Sequence, residues 1–188
     1  MAALKAIKKE EKYSYSDYKE WNDSEDWEII DGTAYSMSPS PSTKHQRIGK
    51  KLIYEIEKYL KGKTCELFYE LDVILSEKDI VKPDIFIVCD KNKVSDENIK
   101  GAPDFVVEIL SPSTSKRDKK IKLELYRKFG VKEYWIGDSS NLLIETYIFK
   151  QNEIITETYY YDEDDEDNIV EVGIFGSELK IDMKEIFS

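Results

Sequence analysis

Asp104-Phe105-Val106-Val107-Glu108-Ile109-Leu110 is an apolar run of strand length with one carboxylate near its middle. A helical pattern over Ser115 to Gly130 and a further apolar run near 133 to 138 follow it. Short β-branched runs bounded by polar residues read as buried strands, so this stretch predicts strand, helix, strand. Upstream, Val81-Lys82-Pro83-Asp84-Ile85-Phe86-Ile87-Val88-Cys89 repeats the arrangement with Asp84 as its carboxylate. An ionised carboxylate inside such a run is costly unless compensated, and a divalent cation is the strongest compensator. Asp104 and Glu108 lie on one strand about 13 Å apart, too far to share an ion. Asp84 and Glu108, on neighbouring strands, would lie about 5 Å apart and are the candidate metal pair. The competing expectation is two strand-end carboxylates that face solvent or pair with lysine.

The helix after Glu108 has N-cap candidates in Ser113 to Ser115 and a stop at Gly130. At 100° per residue, Asp118, Ile121, Lys122, Leu125, Tyr126 and Phe129 share one stripe, with Lys119, Lys120, Glu124, Arg127 and Lys128 opposite. Lys122 therefore sits on the packing face, either snorkelling its stem over the core or held there for its charge. If its ammonium had no partner there, Lys122→Met would leave stability unharmed. Ser115 and Asp118 have capping-box spacing, which would give Asp118 a purely structural task.

Pro83-Asp84-Ile85, Ala102 to Thr114 with Glu108 inside it, Lys122-x-x-x-Tyr126 and Gly130-Val131-Lys132-Glu133-Tyr134-Trp135-Ile136 together resemble the putative restriction endonuclease family of the PD-(D/E)XK nuclease superfamily. Trp27-Glu28-Ile29-Ile30-Asp31-Gly32 and Ser38-Pro39-Ser40-Pro41 with His45 extend the likeness to about residues 13 to 188. The superfamily signature places lysine two residues after the second carboxylate, where this chain has Leu110. The resemblance implies that the lysine role has moved to Lys122. It also implies a restriction-endonuclease-like α/β fold, Mg²⁺ or Mn²⁺ on Asp84 and Glu108, DNA as partner, and a histidine at His45 near the phosphate or the metal shell. A homodimer is an open option.

Composition fits one domain over residues 1–188, with 40% hydrophobic and 36% charged residues. No apolar run approaches a membrane span, and the N-terminus lacks a signal-peptide segment, so a cytoplasmic location is expected. Cys65 and Cys89 are too few for a disulfide framework and are expected as reduced core thiols. The net charge of −11 argues against phosphate binding until its distribution is read. Residues 44 to 63 hold seven Lys or Arg against two acids, and 116 to 132 hold eight against two. Residues 153 to 171 hold nine acids and no base. Lys44, Arg47, Lys119 and Lys120 are therefore the candidate nucleic-acid contacts.

Along the chain, residues 1–12 read as frayed and Tyr15 to Trp21 as a short helix. Trp27 to Met37 is a hairpin turned at Asp31-Gly32. Thr43 caps a helix to about Leu60 with His45, Ile48, Leu52, Ile56 and Tyr59 on its apolar stripe. Strands are expected at about 66 to 75, 81 to 89 and 104 to 110, then the Lys122 helix and the strand near 133 to 138. This α-β-β-β-α-β order predicts a mixed central sheet flanked by helices. A hairpin around Gln151-Asn152, an acidic loop at 162–168 and a final strand with an apolar tail complete the chain. Glu28 in the first hairpin is a candidate further ligand, and Tyr126 a candidate lining residue of the same pocket.

These residues point to metal-dependent hydrolysis of a DNA phosphodiester. The alternatives are a nuclease-fold module that binds nucleic acid without cutting it, and a hydrolase of a small phosphoester. No Walker loop, dinucleotide glycine fingerprint or Cys-His zinc spacing is present.

Overall fold

The computed structural model describes residues 11–21, 25–111, 115–151, 153–165, 167–176 and 178–188. Residues 1–10, Ser113, Thr114 and Asn152, on which a frayed start, two N-cap candidates and a turn are expected, lie outside these. α1 (Tyr15–Tyr18) is shorter than its pattern suggests and is closed by a Ser14–Asp17 capping box. β1 (Trp27–Ile30) and β2 (Thr33–Ser36) form the expected hairpin. Its turn residues Asp31 and Gly32 both have positive φ, 48° and 71°, as a tight right-twisted hairpin requires. α2 (Thr43–Leu60) follows, with Ser42 rather than Thr43 as its N-cap: the Ser42 hydroxyl accepts from the His45 N–H.

The two upstream strand runs are each split. The first becomes β3 (Glu66–Phe68) and β4 (Val73–Ser76), separated where Glu70 turns to a left-handed φ of 47°. The second becomes β5 (Asp79–Val81) and β6 (Ile85–Val88), with Pro83, which cannot donate to a ladder, in the gap. β7 (Ile99–Lys100) and β8 (Phe105–Ile109) follow. A π-helical turn over Arg117–Lys122 then leads into α3 (Leu123–Phe129), which ends at Gly130 in the left-handed region. β9 (Glu133–Asp138), β10 (Leu143–Phe149), β11 (Ile154–Tyr160), β12 (Ile169–Glu171), β13 (Lys180–Asp182) and α4 (Met183–Phe187) complete the chain.

The main sheet has six strands in the order β11-β10-β9-β8-β6-β3, with β8 and β9 parallel and the other neighbours antiparallel. The parallel pair needs a crossover, which the π turn and α3 supply. Counting only this sheet, α2, β3, β6, β8, α3 and β9 keep the expected order. A second sheet, β2-β1-β5-β4-β7, takes the first hairpin and the pieces split from the two runs.

Alternation along β8 assigns its two faces. Phe105, Val107 and Ile109 pack with Ile48, Leu52 and Ile56 of α2. A Cβ at Gly49 would meet Ile109 Cδ1 at 3.4 Å, so glycine there permits the close approach of α2 to β8. Val106 packs on the other side with Leu125 and Tyr126 of α3 and with Ile30, Val73 and Val81 of the second sheet. Glu108 shares the parity of Val106 and points into this second layer.

The cysteines depart from expectation, because Cys65 and Cys89 form a disulfide. Glu66 pairs with Val88 across β3 and β6, and one more step of that antiparallel register brings Cys65 to Cys89. The C-terminal tail does not leave the body of the fold: Met183 and Ile186 of α4 are buried in the α2 layer.

Candidate active site

Asp84 and Glu108 meet as the strand pattern predicts. β6 and β8 pair antiparallel as Ile85↔Val107, Phe86↔Val106 and Ile87↔Phe105, and one step further sets Asp84 across from Glu108. Asp84 lies just before β6, and its Oδ2 accepts the Ile109 N–H at 2.6 Å. The same oxygen lies 3.1 Å from His45 Nε2, which the Ser42 cap places in the first turn of α2. Burial acts to lower the His45 pKa, but the hydrogen bond and charge of Asp84 outweigh it and hold it above the ordinary value.

Glu108 is buried. Its Oε1 accepts from Lys122 Nζ and from the Tyr126 hydroxyl, each at 2.7 Å. Lys122 Nζ is also 2.7 Å from Glu28 Oε1 and 3.8 Å from Asp118 Oδ1. The ammonium, on a residue only 1% exposed, is thus ringed by carboxylates rather than snorkelling to water. Burial would depress its pKa, but Glu108, Glu28 and Asp118 together raise it, so Lys122 stays charged. An unpartnered Lys122 does not occur. A neutral replacement must therefore leave buried carboxylates uncompensated.

Glu28 is fully buried in β1 and ties the two layers together. Its Oε1 also accepts the Lys82 N–H at 3.1 Å, and its Oε2 lies 3.5 Å from Arg117 Nη2. Arg117 is buried with its guanidinium 5.6 Å from the Tyr35 ring centroid. Three carboxylates, Glu28, Glu108 and Asp118, thus gather around two permanent cations, Lys122 and Arg117, and the β6–β8 register sets Asp84 across from Glu108 at the edge of this cluster. Burial, with Asp84, Asp118 and Glu28 adding to it against Lys122, pushes the Glu108 pKa up to about 8.

Residues 15–183 match the family described as putative restriction endonuclease, Uma2. The chain belongs to the Uma2 family. A curated relative from Synechocystis sp., an uncharacterized protein named slr1290, is 29% identical over 141 residues, covering 72% of this chain and 74% of that one. A crystal structure from Anabaena variabilis, described as a putative nuclease belonging to DUF820, superposes with a TM-score of 0.75 at 24% identity. It covers 93% of this Uma2 chain and 97% of its own. The two chains share one fold, with mixed sheets flanked by helices.

Among the described residues, no group of three or more His, Cys, Asp or Glu side chains is gathered as a ready-made metal cage. The donor set nonetheless fits a hard cation. Mg²⁺ is commonly held by one or two carboxylates and keeps several waters, and the Asp84–Glu108 pair offers that number. The excess of carboxylates over cations supplies the charge a divalent ion would offset.

Glu108, Lys122, Glu28 and Tyr126 meet in one buried cluster, and the β6–β8 register links it to Asp84, which bonds His45 on the α2 side. The basic candidates diverge. Lys44 and Arg47 are exposed on α2. Lys119 forms an ion pair with Glu145 of β10, and Lys120 is exposed on the π turn. Two helix expectations change. Ile121, predicted on the packing face, is 39% exposed, whereas Arg117 is buried. Asp118 is buried 3.8 Å from Lys122, and Ser115 lies inside the helical run rather than at its N-cap. The cause is the i→i+5 spacing of a π turn, which brings Arg117 and Lys122 to one face and moves Ile121 off it. No 3.6-residue pattern could have revealed Arg117.

Among the described residues no helix is long and apolar enough to cross a membrane.

Proposed function

We propose that this Uma2 chain hydrolyses phosphodiester bonds of DNA with Mg²⁺ or Mn²⁺ held by Asp84 and Glu108. The supporting observation is the β6–β8 register, which sets the two carboxylates side by side while a buried Lys122 ammonium bonds Glu108 from the following helix. Leu110 shares strand parity with Glu108, and Lys122 supplies from the helix the charge that Leu110 does not. Bound there, the cation would lower the pKa of a coordinated water and offset charge on the scissile phosphate. The Ile109 N–H and His45 orient Asp84; Lys122 and Tyr126 fix one Glu108 oxygen. Lys122, fixed by Glu28, stabilises negative charge that develops on the phosphate.

The test is conversion of supercoiled plasmid, expected only with Mg²⁺ or Mn²⁺ and lost in Asp84→Asn. Equal cutting in excess chelator would overturn the metal role. A second reading, a nuclease-fold module that binds DNA without cutting it, is favoured by the full engagement of Lys122 with Glu28 and Glu108. A gel shift with no cleavage under any divalent cation would select it, and neither shift nor cleavage would favour a small phosphoester.

Two further outcomes follow. Mn²⁺ is expected to raise the melting temperature of the wild type, because a ligand bound by the native state alone stabilises it, and Asp84→Asn is expected to remove that rise. A wild-type increase that survives in the variant would place the ion elsewhere. DNA affinity is expected to fall steeply with salt, and Lys44→Glu or Arg47→Glu to weaken it further without changing the Mn²⁺-induced shift. Salt-independent binding would count against a phosphate-facing α2.

A further inference from the structure

We infer that the cleft beside Asp84 takes one unpaired nucleotide, its base stacked on Tyr69, so that the preferred substrate is single-stranded or locally melted DNA; the inference rests on the phosphodiesterase proposal above. The cleft has a volume of about 250 Å³ and runs between the first turns of α2 and the bend after β3. The Asp84 and His45 pair and Tyr69 all line it. Its volume is just below the roughly 300–1,000 Å³ of pockets that enclose drug-sized ligands, which gives space for one heterocycle and not for two paired strands.

Tyr69 is 60% exposed, so core packing does not account for its position. Its neighbour Glu70 adopts a left-handed φ of 47°, unfavourable for any residue but glycine. The Glu70 N–H donates to the Pro83 carbonyl at 3.1 Å, one residue before Asp84. Gln46 Nε2 reaches Glu70 Oε1 at 3.4 Å from the opposite wall. The aromatic ring and the candidate metal ligand are therefore carried on two backbone segments joined directly to each other.

The rest of the lining suits a nucleotide. Half-buried Ile53 gives an apolar surface for a base above the buried Ile85 and Ile109, and Lys50 adds a cation on the α2 wall. Lys44 and Arg47 extend that positive face along the same helix, as a strand's phosphates require in a chain of net charge −11. Bases inside a duplex are already paired and stacked, so an exposed ring beside the reacting centre contributes only when a base is unpaired.

The test is fluorescence anisotropy in chelator, with a labelled single-stranded oligonucleotide and the same sequence as a duplex. The single strand is expected to bind about tenfold or more tightly than the duplex. Tyr69→Ala is expected to weaken single-strand binding by about 5- to 150-fold, the equivalent of one base–aromatic stack, with Tyr69→Phe near wild type and duplex binding unchanged. An unshifted melting temperature in Tyr69→Ala would confirm that the fold is intact. Wild-type single-strand affinity in Tyr69→Ala, loss in Tyr69→Phe equal to that in Tyr69→Ala, or tighter binding of the duplex would each overturn the inference. Tyr69-dependent binding without cleavage in Mn²⁺ would remove the hydrolysis proposal and leave this one standing. Metal-dependent cutting of plasmid and single strand that Tyr69→Ala leaves untouched would do the reverse.

Discussion

Lys122→Met is expected to lower cleavage by on the order of 10²-fold or more, a typical loss for one preorganised electrostatic contact. It is also expected to destabilise the metal-free protein by about 3–5 kcal/mol, the usual result of breaking a buried ion pair from one side. The second effect follows from the 2.7 Å contacts of Lys122 with both Glu28 and Glu108, which methionine cannot make. Protonation of the stranded carboxylates relieves part of the cost, so the loss should shrink at acidic pH. A saturating divalent cation should also shrink it, by supplying positive charge to the Glu108 side. Denaturant titrations of both proteins, with and without Mn²⁺, measure these effects. Wild-type stability together with wild-type cleavage in Lys122→Met would leave the lysine no part in the site. Moving the charge back to the strand, Leu110→Lys with Lys122→Leu, should recover part of the cleavage lost in Lys122→Met. No recovery would separate the two positions functionally.

The contrast between Lys122 and Arg117 shows where sequence patterns were sufficient. The α2 stripe and the strand–helix–strand order from β8 to β9 follow from local patterns, and both appear in the structure, whereas setting Asp84 opposite Glu108 also requires β6 and β8 to be neighbours. Lys122 was also legible as a charge on a packing face. Its partners were not, because Glu28 reaches it from β1, far away in sequence and in the other sheet. Arg117 was hidden by the π turn, which changes the helical phase for six residues before α3 restores it. The two strand runs each look like one element because their apolar content continues across Glu70 and Pro83, while backbone geometry sends the two halves to different sheets. The disulfide depended on the β3–β6 register, which no spacing of two lone cysteines discloses.

Glu108→Gln is expected to abolish cleavage and, in the absence of divalent cation, to flatten the dependence of stability on pH. The Glu108 carboxyl titrates near its ordinary value of 4.5 when unfolded and at about 8 when folded. Between those values the native state holds a proton that the unfolded state has released, so stability falls as pH rises from about 4.5 to 8 and levels off above. The cost reached at the alkaline end is on the order of a few kcal/mol, tempered by the favourable Lys122 contact. Glutamine carries no titrating group and retains an oxygen that can accept from Lys122 and Tyr126. The variant should therefore match the wild type near pH 5 and exceed its stability near pH 9. Mn²⁺ should invert the order: ligation requires the ionised carboxylate, so the ion should stabilise the wild type increasingly at higher pH and leave Glu108→Gln nearly unchanged. Urea titrations across this pH range, with and without Mn²⁺, decide the matter. A wild type whose stability rises from pH 5 to 9 without metal would show that Lys122 fully compensates Glu108, leaving no charge imbalance for a cation to correct.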